Sequence, residues 1–480
     1  MVFSSISFLF LFLPLVLWAY FVVRPGLRNA LLIAASAVYY AWSESQFLRV
    51  VLASAAANYL FGLCVHPLVP KPARKLALAS AVLANVGLLA WYKYANFTVE
   101  TLNHAAMLLK RPGWQVHLAH VTLPLGISFF TFHALSYVID VYRSDARPQP
   151  NFALLALYLL FFPQLVAGPI VRYHELEHQL RARSFQLARF ARGVERFLIG
   201  LAKKVLIANQ LGPIADGVFG LATRDLTPGI AWLGAVSYAL QIYFDFSGYS
   251  DMALGLAALF GFEFPENFDY PYIARSLTDF WRRWHLSLSR WFRDYLYLPL
   301  GGNRRGAART YVNLVIVFFC CGLWHGASFT FVVWGLFHGT FLVLERAGFS
   351  KILARLPSLL QRGYCLFVVL VGWVIFRASS LGQASDIIAA LFGMAHGAGT
   401  AWRAAAFVDP LQLTTLVAGV IFSAPLGRLL RRPWLDPSAT TTAFGPALEL
   451  ARVALILALG AVSAMHLSAT TYNPFIYFRF

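Results

Sequence analysis

The stretch TYVNLVIVFFCCGLWHGASFTFVVWGLFHGTFLVL, Thr310–Leu344, runs from Arg309 to Glu345 without a single Asp, Glu, Lys or Arg. An apolar helix needs about 20 residues to cross a bilayer, so this stretch is too long for one span. Arg304, Arg305 and Arg309 precede it; Arg346, Lys351, Arg355 and Arg362 follow it. Basic loops stay on the cytoplasmic side. Both ends therefore belong there, and the stretch is expected to enter and return as a helical pair. His325 then lies near the bend or partway down one arm. An ionisable side chain at that depth is costly, faces protein or a water-filled cavity, and often does chemistry. Gly322 and Gly326 around Leu323-Trp324-His325 allow close approach of backbone or substrate.

The rest of the chain has the same character. Its 480 residues are 59% hydrophobic and 12% charged, against about 45–50% and about 25% in soluble domains. No polar stretch is long enough for a separate soluble domain, so residues 1–480 read as one all-α, polytopic membrane domain. The first apolar run, 3–23, has no basic leader and no cleavage pattern, so it reads as a retained span. The formal charge of +18 comes largely from Lys and Arg in short loops. That is a topological signature and an attraction to anionic lipid, with no call for nucleic acid. Cys64, Cys320, Cys321 and Cys365 lie in apolar segments without metal-ligand spacing, and no metal site is expected.

Further spans are expected near 29–43, 47–65, 76–92, 121–142, 194–212, 229–260, 364–377, 384–395, 411–427 and 447–467. Arg24 and Arg28, then Lys71, Arg74 and Lys75, then Arg143 and Arg147, mark cytoplasmic loops. The N-terminus and a polar excursion over 95–120 then fall outside. Both flanks of 152–170 are basic and the segment contains Pro163, Gly168 and Pro169, so it is expected to dip in and return. Such a re-entrant piece must be covered by protein or line a cavity. Arg428, Arg431 and Arg432 return the chain inside, and a tail over 468–480 emerges exposed on the outer side.

An island over about 262–309 is both charged and aromatic. Ser276-Leu277-Thr278-Asp279 offers helix N-caps. Trp281, His285, Leu288, Phe292 and Tyr295 step by four and three along one face. Arg275–Asp279, Asp279–Arg283 and Arg290–Asp294 have the spacing of helical ion pairs. Pro299 and Gly301-Gly302 end the helix. In its plain reading the island is an amphipathic helix on the inner leaflet. In its functional reading His285 is on the buried face, and Arg282 and Arg283 hold the phosphates of a nucleotide-containing donor.

SLTDFWRRWHLSLSRWFRDYLYLPLGGNR (276–304), GLWHGASFTFVVWGLFHG (322–339), LPLGISFFTFHALSYVIDVYR (123–143), FPQLVAGPIVR (162–172) and the ending NPFIYFRF (473–480) together resemble the membrane-bound O-acyltransferase family. Within it they are similar to the bacterial alginate O-acetylase membrane proteins. The resemblance implies a helical bundle with re-entrant pieces around a central tunnel, in the bacterial inner membrane, with both termini periplasmic. It implies that acyl groups pass from cytoplasmic acetyl-CoA, or a carrier-protein thioester, to a hydroxyl. A periplasmic esterase-like partner would complete O-acetylation of an exopolysaccharide such as alginate. Relatives acting on cellulose, peptidoglycan or D-alanylated teichoic acid look similar, and a polysaccharide transporter is the reading from another class.

His325 matches the family's active-site histidine and His285 its second polar position. Tyr477 falls in a C-terminal motif whose tyrosine is thought to carry the acyl group; the competing reading is an aromatic anchor at the outer interface. Acyl transfer needs a base for the O–H proton, stabilisation of an oxyanion and exclusion of water. His325 is expected as the base, with His285 orienting a reactant or assisting proton transfer. Trp324, Trp284 and Ser328 are donor-site candidates beside Arg282 and Arg283. No bound cofactor is expected. His133 and His338 read as satisfied core residues, and Asp245 and Asp251 as partners for arginines or caps at Ser247-Gly248.

Overall fold

The computed structural model describes residues 1–394, 404–426 and 445–476. Among these, every regular element is helical. Six helices are long and apolar enough to cross a bilayer. The chain is a helical multi-pass membrane protein. In order it forms α1 (Leu13–Val22), α2 (Arg28–Glu44), α3 (Leu48–Cys64), α4 (Lys71–Leu108), α5 (Ile127–Arg143), α6 (Phe152–Leu160), α7 (Phe162–Leu165), α8 (Tyr173–Arg181), α9 (Leu187–Ala202) and α10 (Asn209–Phe219). There follow α11 (Pro228–Leu259), α12 (Leu277–Trp281), α13 (Leu286–Phe292), α14 (Gly306–His325), α15 (Phe329–Leu344), α16 (Ser350–Leu353), α17 (Ser358–Arg377), α18 (Leu381–Leu391), α19 (Pro410–Phe422) and α20 (Gly445–Ala469).

Helix α11 is the axis of the bundle, buried almost without interruption from Ala235 to Ala257. A helix apolar all round has no solvent face to present, and its natural place is the interior. Helix α9 lies along it through small residues. Gly193 faces the Gly255 carbonyl and Gly200 faces the Gly248 carbonyl, and a Cβ on either would strike the opposing backbone. Such stripes let membrane helices gain dispersion contact where lipid offers no hydrophobic drive. The acids on α11 are neutralised: Asp251 by Arg196 and Lys203, each at 2.6 Å, and Asp245 by Lys204 at 2.5 Å.

The expected helical pair is present as α14 and α15. They turn at Gly326–Ser328, and Ser328 caps α15 by accepting from the Thr330 N–H at 3.3 Å. The 152–170 segment breaks at Phe161, which leaves helical geometry at φ −53, ψ 111 before Pro163 opens α7. Residues 155–171 are all buried. Non-helical backbone at depth is thus covered by protein, as it must be.

Three expectations are corrected. The polar excursion over 95–120 is shorter, because α4 runs on to Leu108. Nothing between residues 76 and 108 breaks a helix, so polarity alone did not end it. The island is not one helix on a leaflet. It divides at His285, which is left-handed (φ 44, ψ 55), and continues as α13 and a π-turn over Arg293–Tyr297. Trp281, His285, Leu288, Phe292 and Tyr295 are nevertheless all buried. The face was legible although the helix is broken. Asp279 does pair with Arg283 at 2.8 Å, but Asp294 turns from Arg290 to Arg172 and Arg293. Finally, the described part of the tail is exposed only where it begins, at Ser468, Ala469 and Thr471, and then turns inward: Phe475 and Ile476 are buried. The Ile476 N–H donates to Asp245 at 2.8 Å, and Lys204 donates to the Pro474 carbonyl at 2.5 Å.

Loops grouped on one side by charge meet at one end. Arg74 donates to the Tyr142 carbonyl at 2.7 Å, Arg143 to the Asp294 carbonyl at 3.0 Å, and Arg172 binds Asp294. Arg28 and Arg183 stand over the Tyr20 ring. From Arg74, α4 carries the chain about 33 Å, at ~1.5 Å per residue, to Asn96. Near that far end Met1, Trp42, Leu123 and Leu125 share a cavity. Arg428, Arg431 and Arg432 lie outside the described residues.

Candidate active site

His325 is the last residue of α14 and is 5% exposed. Its position follows from the packing of the helical pair. Gly322 faces the Phe331 carbonyl and Gly335 the Phe318 carbonyl, so α14 and α15 touch backbone to backbone. The imidazole stands among rings, with centroids 4.9 Å from Trp324, 5.0 Å from Trp334 and 5.2 Å from Phe376. It also lines a cavity of about 130 Å³ with Lys93, Leu125, Gly126, Phe129 and Trp324.

His285 is fully buried, and its ring lies 6.0 Å from that of Trp324. One indole therefore adjoins both imidazoles. Asn267 holds His285: its Oδ1 is 3.1 Å from Nδ1 and also accepts from the Ser287 N–H at 3.2 Å. A backbone N–H can only donate, so the amide atom facing His285 is oxygen. Nδ1 therefore carries the proton and Nε2 presents a lone pair. That Nε2 has no hydrogen-bond partner among the described residues. The left-handed backbone at His285 is a strained conformation of the sort that clusters at functional sites.

The remaining candidates fall into place unevenly. The Trp324 Nε1–H is buried and without a partner among the described residues. Ser328 lines a second cavity, of about 240 Å³, with Gln241, Phe331, Phe376, Arg377 and Ile476. Its hydroxyl is also engaged with Thr330 at 3.0 Å. Trp284 packs among Phe268, Phe280 and Trp373 and lines neither cavity. Arg282 is exposed, and Arg283 is paired with Asp269 and Asp279. Tyr477 lies outside the described residues. His133 and His338 are buried, but they are not satisfied core residues: neither ring nitrogen of either one has a hydrogen-bond partner among the described residues. Both sit against aromatic rings, whose faces accept an N–H only weakly.

The basic end holds a larger cavity, about 770 Å³, lined by Asp140, Arg143, Asp145, Arg172, His174, Asp294 and Tyr295. From it a line of rings leads inward: Tyr295 to Trp291 at 5.1 Å, Trp291 stacked on Phe132 at 3.6 Å, and Phe132 to Trp324 at 5.5 Å. Along this line the implied tunnel is filled with aromatic side chains. Sequence reading missed Asn267 and Lys93 as neighbours of the histidines. Asn267 carried no signal at a distance of eighteen positions, whereas Lys93 is a lone charge in an apolar run and could have been flagged.

Fold and site define a polytopic membrane enzyme whose polar groups are gathered at the centre of a helical bundle. The membrane-bound O-acyltransferase family matches residues 27–381. The chain is 41% identical to a probable alginate O-acetylase of Azotobacter vinelandii, with all of both chains covered. It is 36% identical to a peptidoglycan O-acetyltransferase of Helicobacter pylori, over 82% of this chain and 80% of that one. It is 29% identical to a teichoic acid D-alanyltransferase of Streptococcus thermophilus, over 47% and 58%. The chain belongs to the membrane-bound O-acyltransferase family and is an O-acyltransferase.

Proposed function

We propose that this enzyme moves acetyl groups from cytoplasmic acetyl-CoA across the inner membrane for O-acetylation of an exopolysaccharide, alginate first among the candidates. The full-length likeness to alginate O-acetylases supports that acceptor. The observation that carries the mechanism is the pair of buried imidazoles on either side of Trp324, with a cavity at His325. His325 takes the proton of the accepting hydroxyl. The oxygen attacks the thioester carbonyl, the C–S bond breaks, and the thiolate leaves with the proton. His285, whose Nε2 carries a lone pair beside the same indole, assists that proton transfer. The Trp324 Nε1–H supplies an oxyanion donor, which in a water-excluded site contributes on the order of 2.7–4 kcal/mol.

The donor enters at the basic end, where Arg143 and Arg172 line the large cavity, and the rings of Trp291 and Phe132 move aside for its acetyl group to reach His325. Tyr477 takes the acetyl group as an aryl ester and hands it to a periplasmic esterase-like partner. Its neighbour Ile476 lines the cavity that Phe376 shares, and the Phe376 ring touches His325. In this arrangement both termini are periplasmic.

His325→Ala is expected to insert and fold normally and to abolish exopolysaccharide acetylation in a complemented deletion strain. Full acetylation by that variant refutes the assignment. Tyr477→Phe in the same strain is expected to lose acetylation; unchanged acetylation leaves the tail as an anchor.

A further inference from the structure

Between Lys75 and Glu100 the only charged residue is Lys93. It stands about 27 Å along α4 from Lys75, at ~1.5 Å per residue, well within an apolar helix. That helix shows most of its surface to the surroundings and buries Ala81, Asn85, Lys93 and Ala106. These positions recur at multiples of four, or nearly so, along the inward stripe. A lysine on such a stripe is costly unless its charge is met by a partner. Among the described residues no carboxylate pairs with it.

Its partners are the carbonyls of the active-site helix. Lys93 Nζ donates to the Trp324 carbonyl at 2.5 Å and to the His325 carbonyl at 3.0 Å. The neighbouring Tyr94 hydroxyl donates to the Leu323 carbonyl. The Gly322 carbonyl accepts from the Gly326 N–H at 3.4 Å. The last four carbonyls of a helix have no partner within it; here all four are accounted for, three of them by two adjacent side chains of α4. A glycine after a helix often turns left-handed and closes these carbonyls with backbone. Gly326 does not: it is extended, at φ −168 and ψ 158. The carbonyls are left for Lys93 and Tyr94, and a cation there also meets the negative end of the helix dipole. Lys93 further lines the cavity that His325 lines.

We propose that Lys93, assisted by Tyr94, is a positioning residue for acyl transfer: it locks the terminal turn of α14 and so fixes the direction of the His325 imidazole at the reaction cavity. This rests on the role given to His325 above. A helix end fixed only by its own backbone frays over its last turn, and the imidazole sits on the final residue. Displacing a reacting group by about 1 Å costs roughly 10²-fold in rate. The charge of Lys93 is not consumed in the reaction; it acts through the carbonyls.

The test uses the full chain in lipid nanodiscs with its periplasmic esterase-like partner, acetyl-CoA as donor, alginate as acceptor and thiol release as readout. His325→Ala, Lys93→Met, Lys93→Gln and Lys93→Arg are compared with the unaltered protein. Lys93→Met is expected to lower kcat at least about tenfold with KM for acetyl-CoA within about twofold. Lys93→Arg, which can still donate to both carbonyls, is expected to recover most of that loss. Lys93→Gln keeps two donors without the charge and is expected to retain part of the rate; Lys93→Leu, which removes both donors, stands in if Lys93→Met does not fold. Unchanged kcat in the folded variant without donors overturns the inference, as does a rise in KM at constant kcat, which would place Lys93 in donor binding. Undiminished turnover by His325→Ala overturns it together with the role of His325. A failure confined to Lys93 leaves His325→Ala inactive, so the two are distinguishable.

Discussion

His285 and His325 reach the centre of the bundle by different means. His325 is placed by helix packing: glycines on α14 and α15 close the pair, and the histidine falls at its bend. His285 is placed by a strained turn and by Asn267, which fixes its tautomer. Outside the membrane, His174 at the basic end is held differently again. Its Nδ1 lies 2.9 Å from Asp140, and this hydrogen bond raises its pKa above the ordinary value. Glu175 adds to the shift, while burial and Arg172 oppose it. A raised folded-state pKa contributes stability that is fully present below the unfolded value, about 6.5, and is lost as pH rises through the folded one. His174→Gln should therefore lower the melting temperature of the detergent-solubilised protein at pH 6, with the difference shrinking by pH 8.5. A difference constant across that range would show that the contact is not an ion pair.

At the scale of elements, α11 carries the two acids that organise its neighbours. Asp245 holds Lys204 and the Ile476 N–H together, so the π-turn that follows α9 (Lys203–Ala208), α11 and the C-terminal segment share one buried knot. Removing one partner of such a pair leaves an uncompensated charge, at a cost of about 3–5 kcal/mol. Replacing both with apolar residues of similar size is far less costly. Asp245→Leu alone is thus expected to unfold readily. Lys204→Met with Asp245→Leu should keep near-normal thermal stability yet leave the C-terminal segment open to carboxypeptidase digestion. A double variant as resistant to digestion as the unaltered chain would mean that other contacts hold the tail, such as Tyr472 with Asp216 at 2.9 Å. The helical pair, the Ser276 cap and the buried face of the island were all legible as local patterns; the cap at Ser328 came only with the structure. The break at His285 was not. A stepping of four and three continues through it, and the turn is held by backbone bonds from Leu286 to Asn267 and from Asp269 to Arg283.

For the whole molecule, charge sorted the loops and the fold brought those loops to one end. This predicts sidedness. Arg147→Cys should be protected from a membrane-impermeant maleimide in intact spheroplasts, whereas His117→Cys should be labelled, each in a background free of native cysteine. The reverse pattern would invert the bundle and put the large basic cavity on the wrong face for a cytoplasmic donor. Composition, the run-lengths of apolar residues and the distribution of Lys and Arg determined by themselves that this chain is a helical membrane protein, that Thr310–Leu344 turns back on itself and that His325 lies near the bend or partway down one arm. Those features depend on neighbours in sequence and on the bilayer as solvent. Tertiary structure alone decided that Asn267 orients His285, that Lys93 ends the helix of His325, that the tail is drawn inward by Lys204 and Asp245, and that rings fill the way from the basic cavity. In the first three, groups far apart in sequence meet because a buried polar atom must find a partner. No local pattern records which distant segment supplies it.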